Sequence, residues 1–330
     1  MGSAYEIVME SRKELVDKIV GMMKKGSVFT TEEWDRQALR AYNPLSGTKY
    51  KGGNRLKLME KVITKGYEDP RWGTLIQFKA KGYYPKKGEH GTLLEKWIFT
   101  KEIKENENGK IKTKIEHLEK PIVSYFKVFN CEQIQEFPKF EPRKVEVQEQ
   151  NEFIEDLMKI SECEVKEYTQ ERAFYRPSED KIYLPPRSYF KDEESFAKTL
   201  LHEMGHSTGH PTRLNRTFDG KFGSKTYAKE ELYAELGALF TGVDLGICLT
   251  GEHYQDHSNY LASWIQTLKN DYNELFRACA EAEKIADRIV DNYIVKLDKE
   301  PAPFKEDIPE REKMISTLGE DVVRQPCMKR

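Results

Sequence analysis

Residues 202–206 are His-Glu-Met-Gly-His, and apolar residues recur around them with helical spacing. Side chains four positions apart lie on one face of a helix, so His202 and His206 can bind one divalent metal ion together. Glu203 lies beside that ion and can accept a proton from a water molecule there, as in H-E-x-x-H metalloproteases. The motif therefore predicts a metal-binding helix that begins after Asp192, a suitable N-cap residue.

A catalytic zinc ion usually has three protein ligands, so another side chain must join the two histidines. His210 lies eight residues beyond His202, about 12 Å along a helix, and reaches the same ion only if the helix breaks. The metzincin motif needs a histidine at position 212, where this chain has Thr212. We therefore expect His210 to have a structural role and the third ligand to come from another helix.

A second predicted helix, at residues 227–241, offers several carboxylates. Glu231 and Glu235 are four positions apart and share a face with Ala234, whose small side chain allows another helix to approach closely. We predict Glu231 as the third ligand and Glu235 as the partner that orients a histidine. Glu235 as the ligand remains the alternative, and Glu230 is expected to be a solvated surface residue.

The net charge of −2 conceals an asymmetry along the chain. Residues 1–135 contain 26 Lys and Arg against 18 Asp and Glu, a net charge of +8, whereas residues 136–330 contain 28 against 38, a net of −10. The excess is greatest at residues 36–101, with 15 basic and 5 acidic side chains. Such a segment is typical of a surface that binds a polyanion.

The basic segment also has the aromatic residues that single-stranded nucleic acid requires. Cations pair with the phosphate backbone, and bases stack on aromatic rings for roughly 1–3 kcal/mol each. The alternative is that many of these rings build the core of a small domain. The cations are Arg40, Lys49, Lys51, Arg55, Arg71, Lys86 and Lys87, and the interleaved aromatic residues are Tyr42, Tyr50, Trp72, Tyr83, Tyr84 and Trp97.

The order of the predicted elements indicates an α+β fold. Apolar and aromatic runs at residues 74–78, 93–99 and 122–129 predict strands, and residues 101–120 predict a long exposed hairpin or a mobile insertion. The second part of the chain is mainly helical. We predict a nucleic-acid-binding domain at 1–135, a linker at 136–150, a metal-binding domain at 151–300 and a charged tail at 301–330.

Cysteine spacing and hydropathy bear on the compartment. The five cysteines lie far apart without a C-x-x-C pair, which argues against a disulfide framework and favours the reducing cytoplasm. No run approaches the roughly 18–20 apolar residues of a membrane span, so no membrane partner is expected.

Motifs in both parts of the chain resemble those of ArdC-type antirestriction proteins. The resemblance covers about residues 10–295. This chain departs from the family at Ser207, where a bulky aromatic residue is frequent, and at Gly53, where isoleucine is usual. The motifs are 42–47 (YNPLSG), 50–54 (YKGGN), 69–74 (DPRWGT), Gln77, 86–89 (KKGE), 129–133 (FNCEQ), 180–185 (DKIYLP), 201–210 (LHEMGHSTGH), 213–216 (RLNR), 222–224 (FGS) and 227–236 (YAKEELYAEL).

The resemblance implies an N-terminal domain that binds single-stranded DNA and a C-terminal zincin-like metallopeptidase domain. It implies Zn²⁺ as the metal, with another divalent ion such as Mn²⁺ as the alternative. Single-stranded DNA is the expected partner, with a host restriction enzyme or another protein as the substrate. The candidate DNA contacts are Arg40, Lys49, Tyr50, Lys51, Asn54, Arg55, Arg71, Trp72, Lys86 and Lys87.

Members of this family occur on plasmids, phages and conjugative elements, so the implied role is protection of incoming DNA from restriction. The metal site is then catalytic, with Glu203 as the general base. The alternative is a non-catalytic protein that coats DNA or blocks a restriction enzyme, with a structural metal. A regulator specific for double-stranded DNA is disfavoured because no helix-turn-helix pattern is present.

Overall fold

The computed structural model describes residues 2–25, 36–107, 110–142, 147–216, 224–246 and 258–297. The predicted charged tail at 301–330 lies outside the described residues, as does part of the predicted linker. No helix within the described ranges is both long and apolar enough to cross a membrane.

The first part of the chain combines helices with a small antiparallel sheet. Helix α1 begins with a capping box, in which the side chains of Ser3 and Glu6 bond to each other's backbone. The sheet has the strand order β1-β3-β2. The elements are α1 (Ala4–Lys24), α2 (Arg36–Leu39), α3 (Gly52–Lys65), β1 (Trp72–Thr74), α4 (Leu75–Ala80), β2 (Thr92–Glu107) and β3 (Lys110–Asn130).

Strands β2 and β3 form one long antiparallel pair, from Thr92 opposite Val128 to Glu107 opposite Lys110. The predicted strands at 93–99 and 122–129 are confirmed, and residues 101–120 belong to this pair. The strand predicted at 74–78 is wrong, because helix α4 begins at Leu75. The side chains of Thr74 and Gln77 form a capping box there, and this local interaction favours a helix over a strand.

The second part of the chain is mainly helical. Its small sheet has the order β4-β6-β5, with β4 parallel and β5 antiparallel to β6. The predicted N-cap Asp192 is confirmed, since its side chain accepts a bond from the Ser195 backbone. The elements are α5 (Val147–Ile160), β4 (Glu164–Glu167), β5 (Phe174–Arg176), β6 (Lys181–Leu184), α6 (Glu193–Ser207), α7 (Lys225–Leu245), α8 (Ser258–Asn270) and α9 (Asn273–Leu297).

The architecture confirms the predicted α+β class, with a sheet-containing first part and a mostly helical second part. One apolar core contains residues from both parts. Leu56 and Met59 of α3 and Leu94 of β2 belong to the same buried cluster as Leu236 and Phe240 of α7. The two parts therefore share a core to which α3 contributes from the first part and α7, α8 and α9 from the second, so burial of apolar surface holds them together.

Arg55 of α3 extends this contact with a buried ion pair. Its guanidinium donates to the two carboxylate oxygens of Asp244 in α7, at 3.0 and 3.1 Å, and to the Phe240 carbonyl at 2.9 Å. A Glu283 carboxylate oxygen of α9 lies 3.4 Å away and also accepts the Gly52 backbone N–H. Arg55 thus links three helices from both parts of the chain.

Replacing Arg55 by methionine leaves buried carboxylates without their cation, so we expect Arg55→Met to lower the free energy of unfolding by about 3 kcal/mol. Urea denaturation measures this change. Lys51→Met is the matched control, because Lys51 pairs with Asp287 in an exposed ion pair at 2.7 Å. An exposed pair contributes less than about 1 kcal/mol. Equal losses in the two variants would contradict a buried ionic link.

Candidate metal centre

The centre forms where α6 and α7 pack against each other. Gly205 of α6 faces the backbone of Ala234 in α7, and a Cβ at Gly205 would lie 3.3 Å from the Cα and carbonyl oxygen of Ala234. A side chain at position 205 would therefore push the helices apart. Glycine within the His-Glu-Met-Gly-His motif keeps the ligand side chains of the two helices within reach of each other.

His202, His206 and Glu231 converge at this contact. The two Nε2 atoms lie 3.1 Å apart, and the Glu231 carboxylate oxygens lie 3.4 Å from His202 Nε2 and 3.6 Å from His206 Nε2. One potential ligand atom from each residue lies within 4.8 Å of the others. His202 and Glu231 are buried, and His206 is nearly so. The structure thus brings together the three residues that the sequence motif suggested as ligands.

Each histidine has a carboxylate behind its ring. His202 Nδ1 lies 3.3 Å from a Glu235 oxygen, and His206 Nδ1 lies 3.2 Å from a Glu230 oxygen. A carboxylate in this position keeps the proton on Nδ1, so the Nε2 lone pair is free for a metal ion. Glu235 therefore lies where the sequence placed an orienting partner, and it is farther than Glu231 from the convergence point.

Glu230 corrects an expectation, because it is not a solvated surface residue. Its side chain is buried and bonds both His206 and Arg216, which donates to the two Glu230 oxygens at 2.8 and 3.0 Å. Glu230 lies four positions before Ala234, on the face of α7 that packs against α6. That spacing was the signal in the sequence that could have predicted the burial of Glu230. Arg216 lies in the 213–216 motif, but no role could be assigned to it from the sequence, because it approaches Glu230 from a loop.

Two arginines fix the position of the loop after α6, and one of them contacts the centre. Arg216 also donates to the Gly205 carbonyl at 2.7 Å and to the Thr208 hydroxyl at 2.8 Å. Arg213 pairs with Asp180 at 2.7 Å and bonds the Ser207 carbonyl, without touching either histidine. His210 bonds Thr212 and lies outside the convergent group, in agreement with the structural role expected for it.

Glu203 is the fourth buried carboxylate of the region. Burial raises the pKa of this carboxyl group, against the lowering effects of His202 and His206. Its Oε2 atom is buried and has no hydrogen-bond partner among the described residues. A carboxyl group with a raised pKa and an unused oxygen can both accept and return a proton.

The electrostatics of the centre favour a cation. Burial opposes protonation of His202, yet Glu231 and Glu235 raise its pKa to about 9. Burial alone would raise the pKa of Glu231, but His206 and His202 hold it well below the usual range. The carboxylates thus stabilise positive charge between the helices. Two imidazole nitrogens and a carboxylate are also the donor set of many catalytic zinc sites, so these residues fit a divalent metal ion.

Comparison with known proteins agrees with this geometry. Residues 9–129 match the family described as the N-terminal domain of anti-restriction factor ArdC. Residues 152–281 match the family described as zincin-like metallopeptidase. The chain belongs to the ArdC-type antirestriction family. The motif resemblance predicted these two regions and their order.

Two solved structures are similar over most of the chain. Both are antirestriction ArdC from the R388 plasmid, at 27% sequence identity and over 86% of this chain. For the metal-free form the TM-score is 0.66 and the match covers 98% of that chain. For the Mn(II)-bound form the TM-score is 0.67 and the match covers 97% of that chain. The structural similarity of this chain to that ArdC protein is therefore nearly the same for the metal-free and the metal-bound form.

Sequence relatives include two longer proteins. DNA primase TraC of Escherichia coli is 36% identical over 299 residues, which are 86% of this chain and 27% of TraC. A second TraC is 37% identical over 289 residues, 84% of this chain and 19% of that protein. The chain thus spans about a quarter or less of these relatives. An uncharacterized protein of Sinorhizobium fredii is 29% identical to this chain over 278 residues, and the match covers 90% of that protein's length.

The candidate DNA contacts of this ArdC-type chain are spread over different environments. Arg40 and Arg55 are buried beside Asp244, and the ring of Trp72 is fully buried in the core. Burial removes Arg55 and Trp72 from the surface that a nucleic acid can touch, which the sequence pattern did not reveal. A basic or aromatic residue in a small domain has a structural role wherever it lacks an exposed face.

Other candidates are held by hydrogen bonds or ion pairs. The side chain of Asn54 bonds both the N–H and the carbonyl of Glu95, and the Tyr50 hydroxyl donates to the Trp72 carbonyl. Arg71 pairs with Asp69 at 2.7 Å. Lys51 is exposed and pairs with Asp287. Lys49, Lys86 and Lys87 are also exposed.

The contacts of Glu230 and Arg216 predict an effect on metal affinity. Glu230→Gln and Arg216→Lys each weaken the support of His206, so we expect divalent-ion binding to fall about 10- to 100-fold. Titration calorimetry of the purified protein with Mn²⁺ or Zn²⁺ measures this change. Arg213→Lys is the matched control, because Arg213 anchors the same loop without touching a histidine. An equal loss in Arg213→Lys would show that loop stability, rather than His206 orientation, sets the affinity.

Proposed function

We propose that this chain is an antirestriction protein of a mobile genetic element that binds single-stranded DNA and hydrolyses peptide bonds. The DNA-binding domain is residues 1–135 and the peptidase domain is residues 151–300, joined by a linker at 136–150. The observation that carries the enzymatic part is the convergence of His202, His206 and Glu231 beside a buried Glu203 whose Oε2 has no partner among the described residues.

We assign His202, His206 and Glu231 as the metal ligands and Zn²⁺ or Mn²⁺ as the ion. The ligand set suits Zn²⁺, and the similar ArdC from the R388 plasmid has an Mn(II)-bound structure. A divalent ion bound there would supply Lewis acidity, which polarises a carbonyl group and acidifies water. Glu235 and Glu230 hold the histidines with Nε2 directed at the ion.

Glu203 is assigned the proton transfers. Its carboxylate takes a proton from the attacking water while the water oxygen bonds to the scissile carbonyl carbon. The carbon–nitrogen bond then breaks, and Glu203 returns the proton to the leaving nitrogen. Burial and the resulting rise of the Glu203 pKa suit both halves of this exchange.

The DNA-binding part of the proposal rests on the basic charge of residues 1–135 and on their match to the ArdC N-terminal family. The antirestriction role rests on the same family and on the plasmid-borne relative. The proposed peptide substrate is a host restriction enzyme or another protein.

One observation favours a non-catalytic alternative. His202 and Glu203 are only 1% and 2% exposed, so a peptide would reach them only after nearby side chains move. In this alternative the metal supports the fold, and the protein acts by coating DNA or blocking a restriction enzyme.

Glu203→Gln separates the two functions. We expect this variant to lose peptide cleavage by at least about 100-fold, the effect of removing a general base. It should retain metal and single-stranded DNA binding, because Glu203 is not a proposed ligand. Mass spectrometry of a peptide library, metal analysis and fluorescence anisotropy measure these three properties.

The non-catalytic alternative makes the opposite prediction in a restriction assay. If Glu203→Gln protects incoming DNA as well as the wild-type protein does, catalysis is not needed for the biological role. His202→Ala is the control for metal binding, since it removes a proposed ligand.

A further inference from the structure

A cleft of about 610 Å³ lies between α1, α3 and the turn before β2. Three lysines line its α3 wall: Lys57, Lys61 and Lys65. They are four positions apart, so they form a stripe along one helix face with a rise of about 6 Å between neighbours. Lys127 of β3 also lines the cleft. The result is a row of ammonium groups with regular spacing.

Most of these lysines are free to meet an anion. Lys65 and Lys127 are exposed, and neither has a carboxylate partner among the described residues. Lys57 donates to the Ser11 hydroxyl and likewise has no carboxylate within ion-pair distance in the described ranges. Burial lowers the pKa of Lys57 to about 8, so an anion in the cleft would stabilise its charged form. Lys61 differs, because it lies 3.9 Å from Glu60.

The opposite wall, on α1, has two exposed carboxylates beside Lys18, which pairs with Glu60 of α3 at 3.1 Å. Glu10 and Glu14 of α1 are exposed and line the cleft. Carboxylates repel phosphates but accept hydrogen bonds from the amino groups of bases. A ligand with phosphates along one side and hydrogen-bond donors along the other matches both walls. A single strand has this form, whereas a duplex has phosphates on both flanks.

The surroundings of the cleft also suit a nucleic acid. The Tyr67 ring lines it and offers a face or edge for a base. The exposed Lys86 and Lys87 precede Gly88, which lines the cleft, and the Lys86 N–H donates to the Gln133 carbonyl at 2.8 Å. The two exposed lysines of that turn therefore directly precede a residue of the cleft in the chain.

We propose that single-stranded DNA binds in this cleft, with its phosphates along the α3 lysines and Lys127 and its base edges toward Glu10 and Glu14. The proposal rests on the single-stranded DNA binding inferred above and places it away from Arg55 and Trp72. Those two residues hold the core, whereas the cleft presents free charge.

The test measures binding of a fluorescein-labelled oligodeoxycytidylate, whose bases carry amino groups, to the full chain at several salt concentrations. Lys65→Ala and Lys127→Ala replace exposed residues, so both variants should fold. We expect each to weaken binding several-fold and to reduce the slope of log K against log salt by about 0.7, the value for one lost phosphate contact with a single strand. Lys284→Ala is the matched control and should bind as the wild-type protein does, because Lys284 of α9 is exposed, pairs with Glu281 at 2.6 Å and does not line the cleft.

Three outcomes are distinguishable. Wild-type affinity and salt slope in the Lys65→Ala, Lys127→Ala double variant would overturn the cleft while leaving DNA binding intact. Absence of binding by the wild-type chain would remove both proposals. A third measurement uses Glu10→Gln, Glu14→Gln, which should increase affinity for a duplex more than for the single strand. No change in that preference would contradict the role of the acidic wall.

Discussion

Burial of charge between α6 and α7 is the interaction on which the centre depends. Glu203, Glu230, Glu231 and Glu235 are buried around two histidines, and burial of several carboxylates is unfavourable without compensating positive charge. Arg216 supplies one cation. The raised pKa values of the histidines reflect the remaining demand of the carboxylates for positive charge. A divalent ion meets that demand with the donor atoms already directed inward. The close helix contact at Gly205 makes this concentration of charge achievable.

Helix α7 connects this centre to the rest of the molecule. Glu231 lies near its beginning and Asp244 near its end, about 20 Å apart along the helix axis. Asp244 accepts the guanidinium of Arg55 from α3, so one helix carries both a proposed ligand and the main ionic contact with the first part of the chain. The shared apolar core reinforces that contact. Helices α8 and α9 also contact the first part, so the ArdC N-terminal region and the zincin-like region are joined by several helices of the second part.

The basic residues in the first part of the chain have two roles, one in the fold and one on the surface. Arg55 and Arg71 have fixed carboxylate partners, whereas Lys65 and Lys127 remain exposed. Arginine suits the structural use, because its planar guanidinium donates to several oxygens at once. The regular spacing of the α3 lysines is visible in the sequence, but which faces of α1 and β3 lie opposite them depends on packing. Composition thus indicated a polyanion, and only packing indicates a surface for it.

The sequence by itself determined the helix of the His-Glu-Met-Gly-His motif, its N-cap Asp192 and the α+β class, because these depend on local spacing, capping and periodicity. It also suggested Glu231 and Glu235, since a shared helix face follows from their separation. Tertiary structure decided the rest. Glu230 became buried because its face of α7 meets α6, and Arg216 reached it from a loop that no periodicity describes. Residues 74–78 show the converse, because a side-chain cap overrode an apolar pattern typical of a strand. Contacts between segments distant in sequence depend on packing, so local patterns do not reveal them.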